Sequence, residues 1–159
     1  LLVMAHAHAL SSGLLFLLVG MLYDRVHTRL LKYSGGFLGY MPLWSSGMLA
    51  GVLANMSMPG SGGFIGEILI IGASSVISCE FVLLLALSLV LSGAYNIWLY
   101  SRLVHGNIST VVFSYVIDLG AGEAGVVVVI VDLIIVLGPK PMHLIHGLYS
   151  YMALVGLSL

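Results

Sequence analysis

Long apolar runs separated by short polar stretches dominate the pattern along the chain. A run of about 20 apolar residues is long enough for a helix to cross the hydrocarbon core of a bilayer. The pattern therefore predicts an all-α integral membrane protein with about four transmembrane helices. The predicted spans are 1–23, 38–77, 80–103 and 123–138.

The second span, residues 38–77, is long enough for two crossings but contains a break near residues 56–63. Proline removes a helical hydrogen bond and glycine weakens a helix, and the break holds both types: Pro59, Gly60, Gly62 and Gly63. The polar loop 24–36 holds three of the five Lys and Arg residues. A single crossing returns Arg102 to the side of that loop, as the positive-inside rule favours. We therefore expect one discontinuous crossing rather than two full ones.

Two stretches do not follow the span pattern. Residues 104–122 are mixed in polarity and predict a loop. The apolar tail 142–159 follows a stop at the Gly-Pro-Lys-Pro sequence 138–141. We expect the tail to lie along the membrane interface, with a short extra span as the alternative.

Composition excludes several classes of protein. Of the 159 residues, 60% are hydrophobic and 7% charged, against roughly 25% charged in an average soluble domain. A soluble enzyme is therefore excluded, and residues 1–159 are expected to form one membrane domain. The net charge of −1 offers no basic field for nucleic acid. The single cysteine, Cys79, leaves no internal disulfide and no cysteine metal site.

Glu67 follows the break and lies among aliphatic residues. An ionisable side chain at membrane depth is costly and usually serves a proton or ion path. Burial disfavours the ionised carboxylate, whereas a nearby cation or the unpaired backbone of a broken helix favours it. A carboxylate held between these effects can take up and release protons. The alternative is a carboxylate that only hydrogen-bonds a neighbouring helix.

The first span contains two histidines, His6 and His8. Imidazole titrates near neutrality and can receive a proton on one nitrogen while releasing one from the other. Ser11 and Ser12 follow His8 by three and four residues, so they lie on the same helix face. The two histidines point to different faces, so at most one is expected to line a path to Glu67. Packing with one hydrogen bond is the alternative for either.

The remaining charged residues have simpler interpretations. A cluster at the end of the first span is expected to set membrane orientation and anchor the helix, with a role in coupling as the alternative; its members are Asp24, Arg25, Arg29 and Lys32. Glu80 and Glu123 each open a span, where a carboxylate suits the helix N-terminus. Asp132 lies within a span, and the sequence assigns it no role. No pattern indicates a metal site or a redox centre in the chain.

Four segments resemble motifs of the subunit 4 family of NADH dehydrogenase, the antiporter-like proton-pumping subunits of respiratory complex I. Residues 4–16 (MAHAHALSSGLLF) are similar to the family's His-Gly-Leu-x-Ser-Ser helix, and residues 22–29 (LYDRVHTR) to its Tyr-[Asp/Glu]-Arg-x-x-[Thr/Ser]-Arg loop. Residues 53–70 (LANMSMPGSGGFIGEILI) resemble Ala-Asn-x-Ser-Leu-Pro-Gly-x-x-x-Phe-Ile-Gly-Glu. Residues 138–141 resemble the family's closing turn.

The resemblance implies a fold of fourteen helices, two of them discontinuous, of which this chain resembles the C-terminal four. It implies that Glu67 is the proton-exit carboxylate of the second broken helix and that His8 is the relay histidine. His6 has no clear counterpart, and Ala9 stands where the family has glycine. The family's other charged sites would precede Leu1, so a split subunit would need its N-terminal half packed against residues 1–77.

The resemblance further implies a proton-translocating subunit that belongs to an enzyme only as part of NADH:ubiquinone oxidoreductase. FMN, iron–sulfur clusters and ubiquinone would reside in partner subunits. Expected partners are the other membrane-arm subunits, the N-terminal half of the subunit and lipids. The expected location is the mitochondrial inner membrane, with multiple crossings, or alternatively a bacterial plasma membrane. The competing functions are a subunit of a cation/proton antiporter or membrane hydrogenase of the same fold, and a structural membrane scaffold.

Overall fold

Five α-helices form the described part of the computed structural model, which comprises residues 2–106, 117–138, 146–147 and 150. No strand occurs in these ranges, which confirms the all-α prediction. The helices are α1 (Leu2–Val26), α2 (Pro42–Asn55), α3 (Gly62–Ser75), α4 (Cys79–Val104) and α5 (Ala121–Leu137). Two short 3-10 turns, Leu31–Tyr33 and Phe37–Gly39, lie between α1 and α2.

Helices α2 and α3 form one interrupted column beside α1. Each has 14 residues, so each is about 21 Å long and shorter than the roughly 30 Å hydrocarbon core. Near the start of α2, the Trp44 indole Nε1 donates to the Leu18 carbonyl oxygen at 2.8 Å. In α3, Gly66 packs against Met4, near the other end of α1. Helix α2 therefore packs beside the later part of α1, and α3 packs beside its beginning. This arrangement confirms a single helix interrupted at the Pro-Gly cluster.

The start of α2 lies later than the predicted span because Pro42 occupies its first turn, where a missing N–H costs nothing. A residue from a remote segment caps this end. The Asp118 carboxylate accepts hydrogen bonds from the Leu43 N–H at 2.8 Å and the Trp44 N–H at 3.2 Å. These are amide groups that a local N-cap side chain usually satisfies.

Helices α4 and α5 begin with local caps. The Ser78 hydroxyl oxygen accepts from the Phe81 N–H at 3.4 Å, and Glu80 lies in the first turn of α4. In α5, the Glu123 carboxylate accepts from the Gly120 N–H at 3.0 Å. Both glutamates therefore lie at helix N-termini, where a negative charge is favourable.

The core lies where α1, α2 and α5 meet, and the largest fully buried side chains there include Trp44, Leu14 and Leu18. Two helical stretches, Val3–Val26 and Cys79–Val104, are long and apolar enough to cross a membrane, and Gly62–Ser75 is a shorter apolar helix. Much of α4 presents exposed apolar side chains, which is the surface expected of a helix that faces lipid or another membrane subunit.

Some predictions fall outside the described residues. Residues 105–106 and 117–120 of the predicted loop are non-helical, whereas 107–116 are not described. Residues 139–141 of the closing turn and nearly all of the tail 142–159 are also not described. The interfacial and spanning interpretations of the tail stay predictions.

Candidate functional site

The end of α2 forms a Schellman motif, a helix ending with two characteristic backbone hydrogen bonds. The Ser57 N–H donates to the Ala54 carbonyl at 3.1 Å, and the Met58 N–H donates to the Leu53 carbonyl at 3.0 Å. Ser57 has the left-handed backbone conformation of this motif, with φ of 55°. Glycine is the usual residue at that position because it has no Cβ to strain the backbone.

Glu67 lies in the second turn of α3, on the other side of the break. Helical side chains tilt toward the N-terminus of their helix, so this carboxylate reaches back over the break. The Ser57 hydroxyl donates to Glu67 Oε1 at 2.7 Å. Ser57 is buried and Glu67 is half-buried. The two ends of the broken helix are thus joined by a hydroxyl–carboxylate hydrogen bond.

Glycines allow the segments around the break to approach each other. A Cβ on Gly63 would lie 2.7 Å from Ser57 Oγ. Gly60 has φ of 104°, a conformation that other residues rarely adopt. The end of α5 closes over this loop, because a Cβ on Gly138 would overlap the Gly60 carbonyl. The predicted break is therefore a packed turn, and Pro59 is exposed at its outer side.

A second polar contact lies on the α2 side of the break. The Asn55 side-chain amide Nδ2 donates to Asn96 Oδ1 in α4 at 3.3 Å, and Asn96 Nδ2 donates to the Ser92 carbonyl at 2.9 Å. Asn96 is only 2% exposed, although it lies within an apolar helix. The sequence offered a signal for it, since a lone asparagine in an apolar run needs a partner.

Glu67 lies close to the N-terminal end of α3. Among the residues that the structure describes, no cationic side chain pairs with Glu67. The first amide groups of α3 have no partner inside the helix, and they form its positive end at the break. Within the described ranges, the Ser57 hydroxyl donates a hydrogen bond to this carboxylate.

His8 is exposed on the flank of α1. In the described part of the chain, no hydrogen bond joins its imidazole to Glu67. The hydroxyls of Ser11 and Ser12 both donate to the His8 backbone carbonyl, at 3.2 and 2.7 Å, so neither is directed to the ring. His6 is also exposed. Among the described residues, the structure brings Ser11, Ser12 and the His8 backbone together, but it does not bring the His8 ring to Glu67 as the expected path requires.

The residues of α1 that face α3 explain why His8 is exposed. Met4 packs on Gly66, and Ala7 packs on Gly62, where a Cβ would lie 3.4 Å from the Ala7 Cβ. His8 follows Ala7 and is rotated by about 100° from it. His8 is therefore level with the break but points away from α3.

The predicted ion cluster after α1 is divided between two environments. Arg25 turns to α5, where its guanidinium forms a two-point ion pair with Glu123 and also donates to the Ile117 carbonyl at 2.9 Å. Planar guanidinium and carboxylate groups favour such paired bonds. Arg25 and Glu123 thus connect the end of α1 to the start of α5, a pairing that the sequence does not predict.

The other members of the cluster remain apart from that pair. The Arg29 guanidinium carbon lies 4.8 Å from the centroid of the Tyr23 ring, a cation–π distance. Asp24 and Lys32 are exposed. The four residues therefore do not form one ion network.

Asp132 is exposed and lines an apolar groove of about 180 Å³ between α2 and α5. No contact among the described residues gives this carboxylate a role. Within the described ranges, no three His, Cys, Asp or Glu side chains converge in a way that could hold a metal ion.

Comparison with known proteins places the chain in a family. The family described as NADH:quinone oxidoreductase/Mrp antiporter, transmembrane, matches residues 1–94. NADH-ubiquinone oxidoreductase chain 4 of Marchantia polymorpha is 48% identical over 101 residues, or 64% of this chain and 20% of the relative. The corresponding protein of Chondrus crispus is 34% identical over 143 residues, covering 90% of this chain and 29% of the relative.

A bacterial relative shows the same similarity. NADH-quinone oxidoreductase subunit M of Rhodobacter capsulatus is 33% identical over 135 residues, covering 85% of this chain and 26% of the relative. The chain therefore spans between a fifth and a third of the length of these relatives. The resemblance to subunit 4 is confirmed, and with it a membrane location. Because the match covers more than half of its residues, the chain belongs to the NADH:quinone oxidoreductase/Mrp antiporter transmembrane family.

Proposed function

We propose that this chain translocates protons as part of a membrane subunit of an NADH:quinone oxidoreductase, and that Glu67 is the group that gains and loses the proton. The observation that carries this proposal is the hydrogen bond from Ser57 to Glu67 across the break. It places a titratable carboxyl beside a hydroxyl that can either donate or accept.

The contact with Ser57 is compatible with both protonation states of Glu67. The ionised carboxylate accepts a hydrogen bond from the Ser57 hydroxyl, and the neutral acid can donate one to the hydroxyl oxygen. A polar partner is needed there because an isolated charge at membrane depth is expensive.

His8 is proposed to deliver or receive the proton on the side away from α3. Its exposure supports a relay that includes groups of another polypeptide segment packed against α1. The N-terminal half of the subunit is our proposed occupant of that face, with other membrane-arm subunits and lipids against α4. FMN, the iron–sulfur clusters and ubiquinone are assigned to partner subunits.

The proposed location is the mitochondrial inner membrane, with four crossings in which α2 and α3 together make one. Two of the relatives carry the name NADH-ubiquinone oxidoreductase chain 4, which supports this choice. The bacterial plasma membrane is the alternative, supported by the similarity to subunit M.

A cation/proton antiporter is the second candidate, because the matched family includes Mrp antiporters. Purification through a tag on this chain separates the two. Flavin and iron–sulfur subunits should copurify with a subunit of the redox complex, whereas their absence from an intact preparation would favour the antiporter.

The proposed function is tested by replacing Glu67 with Gln in the assembled complex reconstituted into liposomes. Gln keeps the shape of the side chain but cannot titrate. We expect fewer protons translocated per pair of electrons, while Glu80→Gln, at the exposed start of α4, keeps the normal ratio. A normal ratio in Glu67→Gln would refute the role of Glu67, and failed assembly in place of failed pumping would favour the structural scaffold.

A further inference from the structure

Ser57 occupies a backbone position that suits glycine better than serine. Its φ of 55° lies in the left-handed region, where a Cβ is unfavourable. The hydrogen bonds that end α2 are made by backbone N–H and carbonyl groups, so they do not need the hydroxyl. Strained residues of this kind cluster where the side chain has a task.

A second serine of the same loop, Ser61, behaves differently. The Ser61 hydroxyl, in the same loop, donates to the Met58 carbonyl at 2.9 Å and stabilises the turn itself. The Ser57 hydroxyl instead reaches Glu67, ten residues further along the chain. Its bond therefore contributes to the placement of the carboxylate rather than to the local turn.

Space for this contact is kept open by Gly63. A side chain there would begin 2.7 Å from Ser57 Oγ and 3.6 Å from its Cα, so the hydroxyl would have to move. Ser57, Gly63 and Glu67 therefore pack together without steric overlap.

We propose that Ser57 is a positioning residue for Glu67, held over α3 by the left-handed end of α2. This inference rests on the proposed function of Glu67. When Glu67 is ionised, the hydroxyl donates to Oε1; when Glu67 is protonated, the carboxyl O–H donates to Ser57 Oγ and the hydroxyl hydrogen turns away. The contact therefore persists in both protonation states with donor and acceptor exchanged.

The test compares Ser57→Gly and Ser57→Ala with Ser61→Ala in the assembled, reconstituted complex. Glycine relieves the strained backbone, so Ser57→Gly should assemble and resist heating at least as well as the natural chain. Both Ser57 variants should nevertheless lower proton-coupled turnover about tenfold, the order expected for losing one hydrogen bond to an ionised group. Ser61→Ala should keep the coupled turnover.

An infrared measurement distinguishes a role of Ser57 in positioning Glu67 from a role in protein stability alone. In redox-induced difference infrared spectra, the carboxyl C=O band that Glu67→Gln removes should move to higher wavenumber in Ser57→Gly, because the group loses its partner. Normal turnover and an unmoved band in Ser57→Gly would overturn the proposal, as would equal losses of assembly in both variants. If Glu67→Gln itself pumps normally, the proposed function of Glu67 is wrong, and this inference is wrong with it.

Discussion

At the scale of single residues, Gly63 decides how closely the start of α3 approaches the end of α2. Its missing side chain leaves room for the Ser57 hydroxyl and thereby for the hydrogen bond to Glu67. In a close-packed interior, one added methyl group has no empty space to enter. The smallest residue is therefore required by its neighbour and not by its own backbone angles.

Gly63→Ala should displace the Ser57 hydroxyl and reduce proton-coupled turnover of the assembled complex. The expected loss is about tenfold, as for removal of the hydroxyl itself. The double variant Gly63→Ala/Ser57→Gly removes the steric overlap but also the hydroxyl, so its coupled turnover should stay low. Full coupled turnover in Gly63→Ala alone would show that the contact is unimportant.

Sequence reasoning identified the carboxylate but not its partner. Glu67 was recognisable because a charge within an apolar run is unusual. Ser57 was not, because its role depends on a left-handed backbone and on a contact over ten residues. The exposure of His8 was equally out of reach, since two histidines on different helix faces do not reveal which face another segment covers.

At the scale of helices, the close approach of α1 and α3 determines where Glu67 lies. A Cβ on Gly66 would meet the Met4 Cβ, Cα and N at 3.0, 3.1 and 3.2 Å. Two of these atoms belong to the backbone, so they cannot move aside by a simple change of rotamer. Gly66 is adjacent to Glu67, and any separation of the two helices carries the carboxylate with it.

Gly66→Ala should therefore destabilise the assembled complex by about 1–3 kcal/mol, the usual cost of overpacking. Gly72→Ala is the matched control, since the same change in the same helix meets nothing within 4 Å. Thermal denaturation of the purified complex measures both. Equal melting temperatures for the two variants would contradict the observed packing.

The order of helices and the break were predictable because each depends on local pattern, on apolar length or on Pro and Gly. The contacts between helices were not. Asn55 and Asn96 are 41 residues apart, and each alone is compatible with solvent, lipid headgroups or a partner. Only the packing of α2 against α4 selects the pairing.

At the scale of the whole molecule, two long-range contacts hold α5 against the rest of the chain at the end remote from Glu67. Asp118 caps α2 across 75 residues, and Arg25 reaches Glu123 across 98 residues. At the opposite end of α5, Gly138 packs against the break at Gly60. Helix α5 thus connects the capped end of the bundle to the site.

Asp118→Ala should lower the stability of the assembled complex by about 1 kcal/mol, the typical cost of losing an N-cap. Two amide groups of α2 lose their acceptor in this variant. Asp24→Ala is the control, because Asp24 is an exposed aspartate outside this contact. Thermal denaturation that finds no difference between the two variants would show that the remote cap contributes nothing.

The central claim, that the Glu67 carboxyl changes its protonation during turnover, is tested most directly by redox-induced difference infrared spectroscopy of the intact complex. The account predicts a carboxyl band in the natural protein that disappears in Glu67→Gln and persists in Glu80→Gln. Identical carboxyl bands in all three proteins would contradict it.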